Sequence, residues 1–295
     1  MSEIARLYRE AIAEVRPDLA GATARLHARG WDSDAIEAGG TLFKFPKGPE
    51  AAGRLRLEAR ILTLIGPRVP LRVPKMRLHE SPILFSEHEM IPGRSIEPDE
   101  YEALSPARKQ AMGEALGGFY AALHAIPATE AAAIGVPPKP EWPGAAQVLP
   151  RLSMRLPAEM LEFAAKAFEA YERLPAEEPT FGYFDGHGWN MAFDHRRGVL
   201  NGVYDFADAG IGPRSREFTY SNLTSGDLTE RIVATYRRLT GKPVDLRTVA
   251  LRTAVQGLSE LGAARSEIEP FRAGAQRWWR YMQARNELRL PIAGT

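Results

Sequence analysis

The 295-residue chain contains no cysteine at all. That absence excludes disulfides, thiolate zinc sites and cysteine nucleophiles, and it makes a cytoplasmic home the default expectation. An excess of one charge is lacking too. Lys and Arg number 38 against 37 Asp and Glu, a formal balance of +1, so no global field marks out nucleic acid or an anionic membrane as partner. Long apolar runs are missing: none approaches the roughly 18 residues of a membrane span. The opening MSEIARLYREAIAEV lacks a basic-then-apolar signal pattern. No G-x-x-x-x-G-K-[ST] phosphate loop and no H-E-x-x-H zinc helix occurs. The six histidines show no metal-ligand clustering; His187 alone is set apart, by its position beside Asp185.

What is present is ordinary for a soluble domain: 44% hydrophobic residues, with 26 Gly and 23 Pro punctuating many loops. The length suggests about two domains or lobes. Residues 1 to about 20 read as a helix. Short runs between Gly/Asp turns (Ala22–His27, Ala35–Ala38, Thr41–Phe45) read as hairpin strands. Glu50–Ile65 is strongly helical, and short strands follow around Lys75–His79 and Ile83–Met90. Beyond the connector Ile91-Pro92-Gly93 the pattern turns helical. Ser105-Pro106 is a helix start, and further helix over Ala145–Leu174 is expected to break at Pro150 and Pro157. A small β region, Thr180–Phe206, is embedded there. The chain thus reads as α+β and bilobal, with an antiparallel-sheet lobe over 1–92 and a larger helical lobe over 93–295.

The embedded hairpin, residues 182–210, is the most informative segment. Asn190–Phe193 and Val199–Asp205 flank the turn 194–198. If Phe193 faces Val199, Asn190 lies near Gly202, with Asp185 and Asp205 beyond the same open end. At about 4.8 Å between strands and about 3.4 Å per residue, Asp185, Asn190 and Asp205 converge within roughly 10 Å. Two carboxylates and an amide oxygen suit Mg²⁺, which takes few protein ligands and completes its shell with substrate phosphates. The plainer alternative is that both Asp residues only end strands and cap turns.

In the helix at 50–65, Leu55, Glu58, Leu62 and Ile65 share one face. Glu58 is therefore an acid on an apolar stripe, where it demands a cation unless it sits at the stripe's solvated edge. Lys44 supplies one from mid-strand, opposite in direction to Phe43 and Phe45; Lys47, after Pro46, falls in a turn and faces solvent. A strand lysine, a helix glutamate, a connector, Asp-x4-Asn and then Asp-Phe form a phosphotransfer layout in which positioning and charge stabilisation supply most of the catalysis.

These residues resemble the aminoglycoside phosphotransferase family, small-molecule kinases with a protein-kinase-like fold. Gly30–Asp34 with Leu42–Pro46 is similar to its first hairpin and lysine strand, and Leu57-Glu58-Ala59 to its helix glutamate. Ile91-Pro92-Gly93 and Gly118–His124 are similar to its connector and first long helix. Asp185-Gly186-His187-Gly188-Trp189-Asn190 and Tyr204–Gly210 resemble its catalytic loop and metal-binding segment. The resemblance implies Asp185 as catalytic base, Asn190 and Asp205 as Mg²⁺ ligands, and Lys44 on the nucleotide phosphates, supported by Glu58. It also implies Ser33 reaching the phosphates, and Glu89 and Ile91, within Glu87–Ile91, framing the base of ATP or GTP through backbone groups.

Three departures bear on the acceptor. Tyr183 stands where the family has His, Gly188-Trp189 where it has Pro-Gly, and Glu217 where it has a second Asp, with Arg214 and Arg216 beside it. The candidate substrate residues are Asp208, Glu217, His187 and Trp189, with Asp227, Glu260, Glu267 and Glu269 as further acids. The acceptor is a small molecule: an aminoglycoside, a related antibiotic or a metabolite alcohol, with an anionic alcohol left open by the two arginines. No nucleic acid, membrane or obligate protein partner is expected. The aromatic run Arg277–Met282 reads as a terminal helix on the core, with RNA stacking as the alternative. A non-catalytic nucleotide- or partner-binding module is the second reading, motivated by Tyr183 and Trp189.

Overall fold

The computed structural model describes residues 3–27, 32–156 and 158–263. The run Arg277–Met282 and the acids Glu267 and Glu269 lie outside the described residues. Helix α1 (Glu3–Val15) precedes strands β1 (Ala24–His27), β2 (Ser33–Ala38) and β3 (Thr41–Pro46), helix α2 (Pro49–Ile65), and strands β4 (Arg77–His79) and β5 (Phe85–Glu89). The five strands form an antiparallel sheet in the order β1-β2-β3-β5-β4. Gly39 and Gly40, both at positive φ, make the two-residue turn that joins β2 to β3. Alternation along β3 buries Phe43 and Phe45 in a cluster with Ala11 and Ile12 of α1. The intervening Lys44 therefore emerges on the opposite face, across from Ser86 of β5.

The rest is mainly helical: α3 (Pro98–Glu102), α4 (Pro106–Leu123), α5 (Ala128–Ala133), α6 (Ala145–Leu152) and α7 (Ala158–Glu172) precede β6 (Pro179–Gly182), β7 (Met191–Asp194), β8 (Val199–Val203) and β9 (Gly210–Pro213). Helices α8 (Arg214–Glu217), α9 (Thr219–Asn222), α10 (Gly226–Thr240) and α11 (Leu246–Gly262) follow. Ser105 caps α4 by accepting the Arg108 N–H, and Pro106 fills the first turn. Gly113 and Gly117 let α10 approach α4 closely, because a Cβ at Gly117 would meet the Thr235 side chain and the Ile232 carbonyl. Pro150 does not break its helix as expected: α6 runs through it and ends only two residues later. So near the C-terminal end the missing N–H costs a single backbone bond.

Strand β6 pairs with β9, and β7 with β8. The hairpin register also corrects the expectation. Asp194 faces Val199, Phe193 faces Leu200, and a bulge between Ala192 and Phe193 shifts the pairing so that Ala192 faces Gly202. Asn190 consequently lies opposite Tyr204, whose N–H donates to its carbonyl (3.0 Å), not beside Gly202.

Two chain passages from the sheet region are fixed to this hairpin. The segment after α2 reaches it where the Val203 N–H donates to Arg72 O at 3.0 Å. The connector reaches it where Arg94 and Phe193 exchange N–H···O bonds (3.0 and 2.9 Å) and Asn201 Nδ2 donates to Pro92 O at 2.6 Å. Gly93, at φ 134°, permits this approach: a Cβ there would come within 2.7 Å of the Ala192 carbonyl carbon.

Candidate active site

The first half of the site is a buried charge cluster. Leu55, Glu58, Leu62 and Ile65 are all buried along α2, and Glu58 is only 2% exposed. Both its oxygens lie 3.4 Å from Lys44 Nζ, and the Phe206 N–H donates to Oε1 at 3.1 Å. Asp205 Oδ1 approaches the same ammonium at 3.6 Å. Burial would lower the Lys44 pKa, but the Glu58 and Asp205 carboxylates outweigh it and hold the group well above its ordinary value. Lys44 is thus a fixed positive charge at the cleft. Lys47 sits apart, 3.0 Å from Asp34.

The second half is the loop that follows β6. It closes on itself through His187 N–H to Asp185 O (2.9 Å) and Asn190 N–H to His187 O (3.0 Å). Asn190 Nδ2 donates to Asp185 Oδ2 at 2.6 Å, and His187 Nε2 lies 3.2 Å from Oδ1. Burial pushes the Asp185 carboxyl up, and His187 opposes the shift. Phe184 and Asp205 adopt left-handed backbone conformations, φ 53° and 67°, which non-glycine residues seldom do. Such strain gathers where a side chain must be aimed, here immediately before Asp185 and at Asp205 itself.

Beneath the loop lies a carboxylate whose role the sequence did not disclose. Glu217, expected to face substrate, is 0% exposed. Its oxygens accept the backbone N–H groups of Tyr183 (2.7 Å) and Phe184 (2.8 Å), with His124 Nε2 at 3.3 Å. His124 Nδ1 in turn meets the Tyr236 hydroxyl at 3.1 Å. This acid anchors the segment between β6 and Asp185, and its partners are far from it in sequence: the loop after β6 and the C-terminal end of α4. Tyr183 does scaffold work as well: its hydroxyl donates to the Tyr204 carbonyl beside Asp205, and its ring stacks on Phe206. Gly186 and Gly188 are required, because Cβ atoms there would strike the Tyr120 hydroxyl and the Ile96 carbonyl.

The remaining expected residues are dispersed around this centre. Trp189 is 53% exposed, its indole N–H donating to Glu97 Oε1 at 2.9 Å and its ring edge-on to His187. Asp208 is exposed and held by Lys139 Nζ at 2.8 Å. Ser33 opens β2 opposite Pro46, beside residues 28–31, which are not described. Glu89 ends β5, exposed and opposite Thr41, and Ile91 lies half-buried in the connector. Asp227 pairs with Arg231 and Tyr101, as an ordinary surface acid would.

Among the described residues no group of three or more His, Asp or Glu side chains forms a metal cluster. The donor set still suits Mg²⁺. With Nδ2 of Asn190 committed to Asp185, its amide oxygen is left for a cation, and Asp205 adds a half-exposed carboxylate. Two hard oxygen donors match an ion that draws its other ligands from phosphates and water.

A strand lysine held by a helix carboxylate, facing an Asp-x4-Asn loop, agrees with the family comparison: the model of the phosphotransferase enzyme family matches residues 23–258. The chain belongs to that family. The phosphotransferase also shares the fold of solved enzymes. Wild-type aminoglycoside 2'-phosphotransferase-IIIa, in its GDP complex, aligns with TM-score 0.76 at 20% identity, covering 95% of this chain and 99% of that one. Macrolide 2'-phosphotransferase MphH from Brachybacterium faecium, an apoenzyme, aligns at 0.64 and 18%, covering 90% and 96%. APH(2")-IIa in its streptomycin–ATP ternary complex aligns at 0.62 and 16%, covering 94% and 97%. The bilobal, kinase-like α+β architecture expected from the sequence is therefore the observed one. No curated protein matches the phosphotransferase in sequence. No helix among its described residues is long and apolar enough to cross a membrane.

Proposed function

We propose that this enzyme transfers the γ-phosphoryl group of ATP or GTP to a hydroxyl of a small-molecule acceptor, in the cytoplasm. The sheet region to residue 92 covers the nucleotide, and residues from 93 onward carry the catalytic loop and the acceptor pocket. The observation that carries the reading is the meeting of Lys44, Glu58 and Asp205 on one side with Asp185 and Asn190 on the other. Lys44, immobilised by Glu58, binds nucleotide phosphates, while Ser33 adds a contact from the covering hairpin. Glu89 and Ile91 frame the base. Asp185, with one oxygen held by Asn190, orients the acceptor hydroxyl and accepts its proton as the phosphoryl group leaves the nucleotide. Asn190 and Asp205 would hold Mg²⁺, which when bound neutralises charge on the phosphate oxygens.

The aminoglycosides and macrolides named for the related structures set the first acceptor panel, beside sugars and amino alcohols. With nucleotide consumption as the readout, Asp185→Asn should cost about 10²–10⁴ in kcat while leaving nucleotide affinity nearly unchanged. Undiminished turnover in that variant would remove Asp185 from its role. Nucleotide binding without transfer to any acceptor would favour the non-catalytic module instead.

A further inference from the structure

Among the described residues, the cation Arg216 stands without a carboxylate partner. Arg216, in α8, is only 4% exposed. Its guanidinium lies 4.0 Å above the Trp142 ring and donates from Nη1 to the Pro140 carbonyl, while Nε is buried with no hydrogen-bond partner. Among the described residues, no carboxylate comes within ion-pair distance of it. Its neighbours differ. Arg252 has Glu141 at 3.1 Å and Glu177 at 3.5 Å, and Lys139 has Asp208. A buried guanidinium facing only neutral groups, the Pro140 carbonyl, the Trp142 ring and the Tyr220 hydroxyl, is costly to retain, and an oxyanion is the ligand that fits its planar donor edge.

The position ties this cation to the reaction. The adjacent Glu217 holds the backbone that leads into Asp185. The Tyr220 hydroxyl lies where Arg216, Asp185 and Asp208 all act on it: burial pushes it up, the Arg216 guanidinium opposes this, and both aspartates add to it. Trp142 belongs to the extended segment after Lys139, whose N–H pairs with Ile211 O of β9 (2.8 Å).

We infer that Arg216, flanked by Trp142 and Tyr220, is an anion subsite for the phosphate acceptor, so that the acceptor is an alcohol carrying a carboxylate or a phosphate. This assignment rests on the phosphotransfer reading and sharpens it. Arg216 provides the charge, the Trp142 face fixes the guanidinium plane, and Tyr220 offers a hydroxyl beside it. A polycation gains nothing from such a wall.

The test uses the full chain, saturated with Mg²⁺ and ADP so that its nucleotide phosphate contacts are occupied, and titrated calorimetrically with inorganic phosphate. Saturable binding is expected, weakened about tenfold or more in Arg216→Gln and by a smaller factor in Arg216→Lys, which keeps the charge but loses the stacked planar donor edge, with ADP affinity equal in all three. Tyr220→Phe, which removes only a hydroxyl, guards against a folding defect and should weaken phosphate severalfold. Absent phosphate binding, or equal binding in wild type and Arg216→Gln, overturns the subsite.

Size-matched alcohols bearing a carboxylate, phosphate, amide or amine supply the second arm. The anionic members should have the highest kcat/KM and lose about tenfold in Arg216→Gln, and the better of the two identifies the natural anion. Preference for the amine member overturns the inference while leaving phosphotransfer intact. Failure of both ADP and GDP to bind wild-type protein would instead strike the phosphotransfer reading, and phosphate titration without nucleotide would still judge Arg216.

Discussion

Two glutamates, Glu58 and Glu217, are buried around the candidate site, and they are satisfied by different means. Glu58 is answered chiefly by a charge: Lys44 faces both its oxygens, with the Phe206 N–H as its one backbone donor, and Asp205 shares the same ammonium. Glu217 is answered by dipoles: two backbone N–H groups and a histidine, with no lysine or arginine within ion-pair reach among the described residues. An ion pair can be removed from both ends at once, whereas backbone donors cannot be mutated away. The two acids should therefore respond differently to substitution.

The largest effect is expected at Glu217. Replacement by Ala strands the Tyr183 and Phe184 N–H groups in the core and should cost about 3–5 kcal/mol of unfolding free energy in urea titration. Glu217→Gln, which keeps an acceptor oxygen, should recover a large part of that. A loss below 1 kcal/mol in the Ala variant would mean that the dipoles find other partners.

Glu58→Ala should cost about 3 kcal/mol, because it leaves Lys44 near the cleft without its main partner. The double change Lys44→Met with Glu58→Leu should return stability to within about 1 kcal/mol of wild type, yet abolish turnover. If the double variant is as unstable as the single one, the pair is not a separable unit and the contrast with Glu217 collapses.

A smaller, pH-dependent effect belongs to His88 in β5, on the same face as Lys44. Burial first, and the Lys44 charge second, lower its pKa to about 4. Its folded-state value lies below its unfolded one, so the neutral ring's stability is full above about pH 6.5 and drains away as pH falls toward 4. The loss should reach at most about 3 kcal/mol. His88→Leu should flatten that limb of the stability profile; an unchanged slope would place the acid sensitivity elsewhere.

The smallest change is expected from Trp189→Ala. The indole is half-exposed and gives up one bond to Glu97, while the bond from the Tyr204 hydroxyl to the Trp189 carbonyl (2.6 Å) survives, since it uses backbone. Stability should fall by about 1 kcal/mol or less in denaturant titration.

The same contrast explains what could be read from the chain. Glu58 was legible because a charged residue on an apolar helical face demands a cation, and β3 offers Lys44 on the face away from Phe43 and Phe45. Asp185 and Asn190 meet although the hairpin register differs from the one the spacing predicts. Their loop closes through its own backbone bonds, so the bulge at Ala192 and Phe193 does not move them apart. Glu217 was misplaced because nothing in its local sequence reveals that Tyr183, Phe184 and His124 will surround it. The buried state of Arg216 was equally hidden, since Trp142 and Pro140 reach it from some 75 residues earlier. Pro150 does not break its helix, because a break depends on how much helix remains after the proline, and α6 has only two residues left.

The fastening of the hairpin β7–β8 has a consequence for heredity. Arg72, Pro92 and Arg94 all bond to it, so both chain passages from the sheet region are tied to one short ribbon whose neighbouring loop also carries Asp185 and Asn190. On the proposed function, a mutation that distorts this ribbon would reach the nucleotide and acceptor contacts together. Variation in such an enzyme is cheaper at its rim, at positions like Trp189 and Asp208, than at the ribbon through which its parts are joined.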